Sequence, residues 1–134
     1  EKYLINNKTL ETLILLEGFT EIGKHAFFGC TNLKRVFLPE TLETIGDYAF
    51  FNCQSLTKIE IPDSVKTIEY GAFAWCENLT KIEIPNNVKT IGKYAFANCE
   101  SLKEIIIDNT KEYVEQHWSK PWDSNCNAKI TYLR

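Results

Sequence analysis

Methionine is absent from this chain of 134 residues, histidine occurs only twice, and no segment approaches the roughly 20 consecutive apolar residues that a membrane-spanning helix needs. Basic runs are missing too. Lysine and arginine are interspersed with aspartate and glutamate at a formal net charge of -3, so no nucleic-acid or anionic-membrane footprint is expected and no membrane insertion. No G-x-S-x-G, no H-E-x-x-H and no phosphate-binding glycine loop occurs. The C-x-x-C and clustered Cys/His spacings of a metal site are lacking as well. The expectation is therefore a protein with no catalytic residues, no metal and no cofactor. The opening EKYLINNKTL has neither the basic nor the apolar region of a secretory leader. Because a chain opening on Glu1 is expected to be a processed product or a piece of a longer one, that lack says nothing of compartment. What remains is a 44% apolar, 25% charged composition, suited to one soluble domain with a real core.

That core is written as a period. Leu10, Leu33, Leu56, Leu79 and Leu102 recur every 23 residues without insertion, which is the behaviour of one structural unit copied in register. Other columns keep the same step: Leu13, Val36, Ile59, Ile82, Ile105; Ile22, Ile45, Ile68, Ile91; Phe27, Phe50, Phe73, Phe96; and Cys30, Cys53, Cys76, Cys99. Within a unit, Leu56-Thr-Lys-Ile59-Glu-Ile61 ends in the alternation of a half-buried strand. Pro39, Pro62 and Pro85 then stop the ladder, since proline has no N–H to donate. A second short apolar piece around Ile22 to Ile91 leads into a stretch such as Asp47-Tyr48-Ala49-Phe50, too short for more than one or two helical turns. One unit cannot bury enough apolar surface to offset the entropy of ordering it. Stacked units share their faces, with like strands forming a parallel sheet.

The unit L-x-x-[VI]-x-[LI]-P-x-x-[LV]-x-x-I-x-x-x-A-F-x-x-C resembles the repeat of the BspA-like, or Treponema-type, leucine-rich repeat family. Its hallmarks stand here as Ile45-Gly46-Asp-Tyr-Ala49-Phe50-Phe-Asn-Cys53 and Ile61-Pro62. Leu16 and Asp108 depart from the pattern by replacing the proline, and Tyr70-Gly71 displaces the glycine of the third unit. The resemblance implies an α/β, right-handed leucine-rich repeat solenoid with a parallel sheet of short strands and short helical turns. It also implies a cell-surface or secreted bacterial protein that binds a protein partner in adhesion, such as a host or matrix protein. The solenoid is expected over residues 10–107, four full repeats and the strand of a fifth. Residues 1–9 read as an N-terminal cap or a truncated preceding repeat, and residues 108–134 as a C-terminal cap. In that cap, Asn109 reads as the N-cap of a short helix with Glu112 three residues on, and Ala128–Leu133 alternates like a closing strand.

Four cysteines occupying one column beside Ala-Phe read as a ladder of buried free thiols, with bridges between adjacent coils as the alternative. Cys126 is the odd one. With His117 it makes only two ligands, too few for structural zinc, so a free thiol or packing role is expected. His25 takes the place of Tyr48 and Tyr94 and reads as a surface substitution. On the strands, residues between the core columns face the other way. They are Thr12, Arg35, Lys58, Lys81 and Glu104, followed two positions on by Ile14, Phe37, Glu60, Glu83 and Ile106. Glu60 and Glu83 fall near the carboxylate spacing of a retaining glycosidase, but Lys58 and Lys81 on the same face make a cross-strand charge ladder the better reading. For Ile14 and Ile106 two readings stand, burial under the terminal caps or part of a contact patch. The candidate partner-binding residues are Arg35, Phe37, Lys58, Glu60, Lys81, Glu83 and Glu104. One alternative is a carbohydrate-binding domain using exposed Trp75, Trp118 or Trp122, where Trp75 either is exposed or fills space beside Ala74. Another is a structural spacer in a longer repeat array.

Overall fold

The computed structural model describes residues 4–134; the first three residues of the expected N-terminal cap lie outside the described residues. In chain order the elements are β1 (Thr12–Ile14), β2 (Glu21–Ile22), β3 (Arg35–Phe37), β4 (Thr44–Ile45), β5 (Thr67–Ile68), β6 (Lys81–Ile84), β7 (Thr90–Ile91), β8 (Glu104–Ile107), α1 (Lys111–His117) and β9 (Lys129–Tyr132). All strand pairs are parallel, and all but β8 with β9 keep the 23-residue step of the repeat. Ile22 stands beside Ile45, Ile45 beside Ile68 and Ile68 beside Ile91, so β2, β4, β5 and β7 form a four-stranded ribbon along one side of the coil.

The third side of the coil is made of turns. Ala49 N donates to Gly46 O at 3.1 Å and Cys53 N to Phe50 O at 3.3 Å, single i→i+3 closures rather than the short helical turns read from the sequence. A continuous helix is prevented because left-handed residues intervene, with Tyr48 at φ 55° and Asn52 at φ 60°. The displaced glycine of the third unit is explained by the same geometry. Gly71 takes the left-handed slot that Tyr48 fills one coil earlier, and a Cβ there would lie 2.7 Å from the Tyr48 ring.

These turns are themselves laddered from coil to coil, as in Phe27 N to Ala49 O, Phe50 N to Ala72 O and Phe73 N to Ala95 O, each 2.8 Å. The backbone rise therefore carries the side chains into rows. Phe27, Phe50, Phe73 and Phe96 stack with centroids 5.5, 5.4 and 5.5 Å apart and fill the axis of the solenoid. All five cysteines are free. The thiols of Cys53, Cys76 and Cys99 each donate to the phenylalanine carbonyl of the preceding coil at 3.2–3.3 Å, which satisfies the only polar group in that row.

At the C-terminal end the coil continues where the sequence period stops. Tyr94 N, Phe96 N and Asn98 N donate to Pro121 O, Trp122 O and Ser124 O, the same ladder as in earlier coils. Cys126 follows Cys99 by 27 residues instead of 23, and so it is the next member of the column after an insertion of four. That insertion accommodates α1, whose N-cap is Thr110 and not Asn109: the Thr110 hydroxyl accepts from Tyr113 N at 3.0 Å while its backbone stays extended. Trp118 and Trp122, each only 4% exposed, close the core edge-to-face, Trp122 lying across Phe96. The expectation that these two indoles are exposed for sugar is thus corrected. They cover the apolar face that the last coil would otherwise show to water.

The other end is built in the same register. Asn6 N donates to Phe28 O at 2.7 Å, and Cys30 Sγ lies 3.1 Å from Leu4 O, so residues 4–7 run as the tail of a coil ahead of the first repeat.

Candidate partner-binding face

The long strands of each coil form the remaining side, and it is not one continuous sheet. β1 pairs with β3 through Thr12–Arg35, Leu13–Val36 and Ile14–Phe37, and β6, β8 and β9 form a separate group of three. Between the groups lies Lys58–Ile61, whose backbone makes no hydrogen bond to either neighbouring strand among the described residues; just ahead of it, Thr57 O accepts from Thr80 N at 3.1 Å and Thr80 Oγ1 at 3.3 Å. Prolines remove one rung here. Where Asp108 replaces proline, its N–H donates to Ile84 O at 3.0 Å, a bond that Pro62 and Pro85 lack the donor to make. Ile59 and Ile61 nevertheless stay buried, so the segment is held by its side chains.

Two clefts result. One of about 410 Å³ lies between the second and third coils and is lined by Arg35, Phe37, Lys58 and Glu60 with Pro62 and Asp63. The other, of about 490 Å³, lies between the third and fourth coils and is lined by Lys58, Glu60, Lys81 and Glu83. Six of the seven sequence-predicted contact residues are thereby brought together around one unpaired segment. Phe37 is 54% exposed at the rim of the first cleft, and Arg35 Nε donates across the coil to Thr12 Oγ1 at 3.1 Å. Lys81 Nζ lies 3.8 Å from Glu83 Oε2 in an exposed pair within one strand, where the sequence reading expected a ladder between strands.

The seventh residue stands apart. Glu104 is half-buried and accepts a hydrogen bond from Thr131 Oγ1 at 3.0 Å, because β9 lies against β8 and engages it. Ile106 is partly covered by the same strand, whereas Ile14 remains exposed at the other end. The sequence alternation placed the side chains correctly, but it held no signal for the missing ladder, since Lys58–Ile61 repeats the pattern of its neighbours.

No group of His, Cys, Asp or Glu among the described residues is placed to hold a metal ion, and no helix there is long and apolar enough to cross a membrane. The profile described as BspA type leucine rich repeat region, in 6 copies, matches residues 1–120. No protein of curated function matches the chain significantly. Among solved structures, a leucine-rich repeat protein from Bacteroides ovatus is 28% identical and superimposes with a TM-score of 0.85, covering 97% of this chain and 32% of its own. The T. pallidum leucine rich repeat protein is 30% identical at a TM-score of 0.77, with 98% of this chain and 64% of that one covered. A leucine rich cell surface protein from Faecalibacterium prausnitzii is 30% identical at 0.75, over 92% of this chain and 32% of that one. This chain thus spans between about a third and two thirds of the length of these neighbours.

Proposed function

Since the chain belongs to the BspA-type leucine-rich repeat family, we propose that it is a protein-interaction module of a cell-surface or secreted bacterial protein, docking its partner on the strand face centred on Lys58–Ile61. The single observation that carries this reading is the break in the ladder. The backbone of the central segment Lys58–Ile61 makes no ladder bond to either side, between two clefts whose rims hold Arg35, Phe37, Lys58, Glu60, Lys81 and Glu83. Unpaired strand backbone is met by another polypeptide through main-chain hydrogen bonds, with side chains at the rim giving selectivity. Phe37 supplies an aromatic anchor, and the alternating charges set register and association rate more than affinity. A binding role also fits the chemistry of the face better than catalysis does, for its acids sit exposed beside lysines instead of in a dry pocket. The surface location is supported by the Faecalibacterium neighbour, which is a cell surface protein.

A panel of immobilised matrix and host-surface proteins provides the test. Phe37→Ala combined with Lys81→Glu is expected to weaken capture of any protein that the wild-type chain binds by about tenfold or more. Unchanged affinity in the double variant rejects this face as the docking surface.

A further inference from the structure

The turn side of the solenoid carries a second site, separate from the strand face. One backbone position recurs in the left-handed region in every coil: Asn6, Gly29, Asn52, Trp75, Asn98 and Asn125, with φ between 54° and 73°. Glycine and asparagine suit that slot. Tryptophan does not, because its Cβ crowds the following carbonyl, and nothing nearby compensates by burying it. Trp75 is 40% exposed and its indole stacks on no other aromatic ring among the described residues. A bulky, exposed ring held in a strained backbone position is the pattern of a residue kept for contact and not for packing.

Its surroundings indicate the ligand. Trp75 borders a cleft of about 280 Å³ that is also lined by Tyr48, Tyr70 and Tyr94, by Ala74 and Ala97, and by Asn98, Ser124 and Asn125. The tyrosine rings meet edge-to-face at 5.4 and 5.5 Å, which fixes a row of faces and hydroxyls along the stack of coils. No charged side chain lines the cleft. Aromatic faces for C–H surfaces, amides and hydroxyls for O–H groups and an absence of charge together match an uncharged polyhydroxylated ligand. The volume lies just below the ~300–1,000 Å³ of drug-sized sites, room for one or two rings and not for a folded segment. We propose that this cleft is a binding site for a neutral saccharide unit, with Trp75 as the stacking platform and Asn98 and Asn125 as hydrogen-bonding partners. The sequence alternative of sugar binding through Trp75, Trp118 or Trp122 is thereby narrowed to one indole and a set of tyrosines and asparagines that the repeat pattern did not single out.

Trp75→Asn tests it directly, since Asn52 and Asn98 already fill the same slot in the neighbouring coils. Wild-type protein is screened on an array of neutral oligosaccharides and titrated with cellobiose and chitobiose by calorimetry. Binding is expected, weakened about tenfold or more by Trp75→Asn and untouched by Phe37→Ala with Lys81→Glu, so the two sites fail or stand independently. The urea midpoint of Trp75→Asn is expected to rise as backbone strain is relieved. Absence of any glycan hit, binding that survives Trp75→Asn, capture of proline-rich peptides instead of sugars, or a fall in the urea midpoint of Trp75→Asn would each overturn the assignment.

Discussion

The cysteine column shows how a single residue type is tuned by stacking. A thiol inside the coil is small enough for the row, and it has a carbonyl waiting one coil back. Burial holds these thiols neutral: it raises Cys53 and Cys76 far above the ordinary value near 9 and pushes Cys99 up to about 12. Thiolate is the reactive form, so the buried members are inert toward alkylation at neutral pH, while half-buried Cys126 is the accessible one. Titration with a thiol reagent is expected to find one reacting group in the native protein and five after denaturation. Because the folded state keeps protons that the unfolded chain releases near pH 9, the stability this provides is complete below that pH. It is lost as pH rises from about 9 toward 12. Urea midpoints measured between pH 8 and 10.5 should therefore decline, and the slope should flatten in Cys76→Ala with Cys99→Ala. An unchanged slope would mean that these thiols are not held neutral by the fold.

Within one element, the same residue carries different weight according to what lies behind it. Gly23 and Gly46 occupy one repeat position, yet a Cβ on Gly46 would come 2.7 Å from Ile22 O and 3.1 Å from the backbone of Gly23, whereas a Cβ on Gly23 meets nothing within 4 Å among the described residues. The contact is with main chain, which cannot swing aside, so the turn ladder must open to admit a methyl group. Gly46→Ala is expected to destabilise the protein by about 1–3 kcal/mol, and Gly23→Ala to stay within about 0.5 kcal/mol of wild type. Equilibrium urea denaturation followed by circular dichroism distinguishes the two, and equal effects would show that coils do not approach as closely as this. Sequence comparison of the two units, both Ile-Gly, gives no hint of the difference. The segment Lys58–Ile61 makes a similar point, since its alternation matches β3 and β6 although its backbone pairs with neither.

Across the whole molecule, stability is a sum of nearest-neighbour terms between coils, so it is most vulnerable in the middle and at unprotected ends. Phe73 is fully buried between Phe50 and Phe96, and its truncation leaves a void in a row that the rigid ladders cannot close. Phe73→Ala is expected to cost about 3–5 kcal/mol. Deleting residues 108–134 removes the Trp118–Trp122 lid from Phe96 and uncovers Ile105 and Ile107. That variant is expected to aggregate, with dye binding to exposed apolar surface as the readout, and a soluble, cooperatively folding truncation would contradict the capping role. The solenoid itself was legible because a strict step of 23 leaves no other way to align so many columns. Its last coil was not, for four inserted residues shift Trp118, Trp122 and Cys126 out of the period while the hydrogen-bond ladder carries straight through them.

Periodicity alone determined the stack, the parallel pairing of Ile22, Ile45, Ile68 and Ile91, the phenylalanine axis and the row of charged side chains pointing outward, because each follows from local alternation repeated in register. Tertiary structure decided which of those rows remain available. The splitting of the strand face around Lys58–Ile61, the engagement of Glu104 by β9, the burial of Trp118 and Trp122 and the isolation of Trp75 over a tyrosine-lined cleft depend on how far neighbouring coils stand apart. That spacing is set by packing over the whole coil and not by any one repeat.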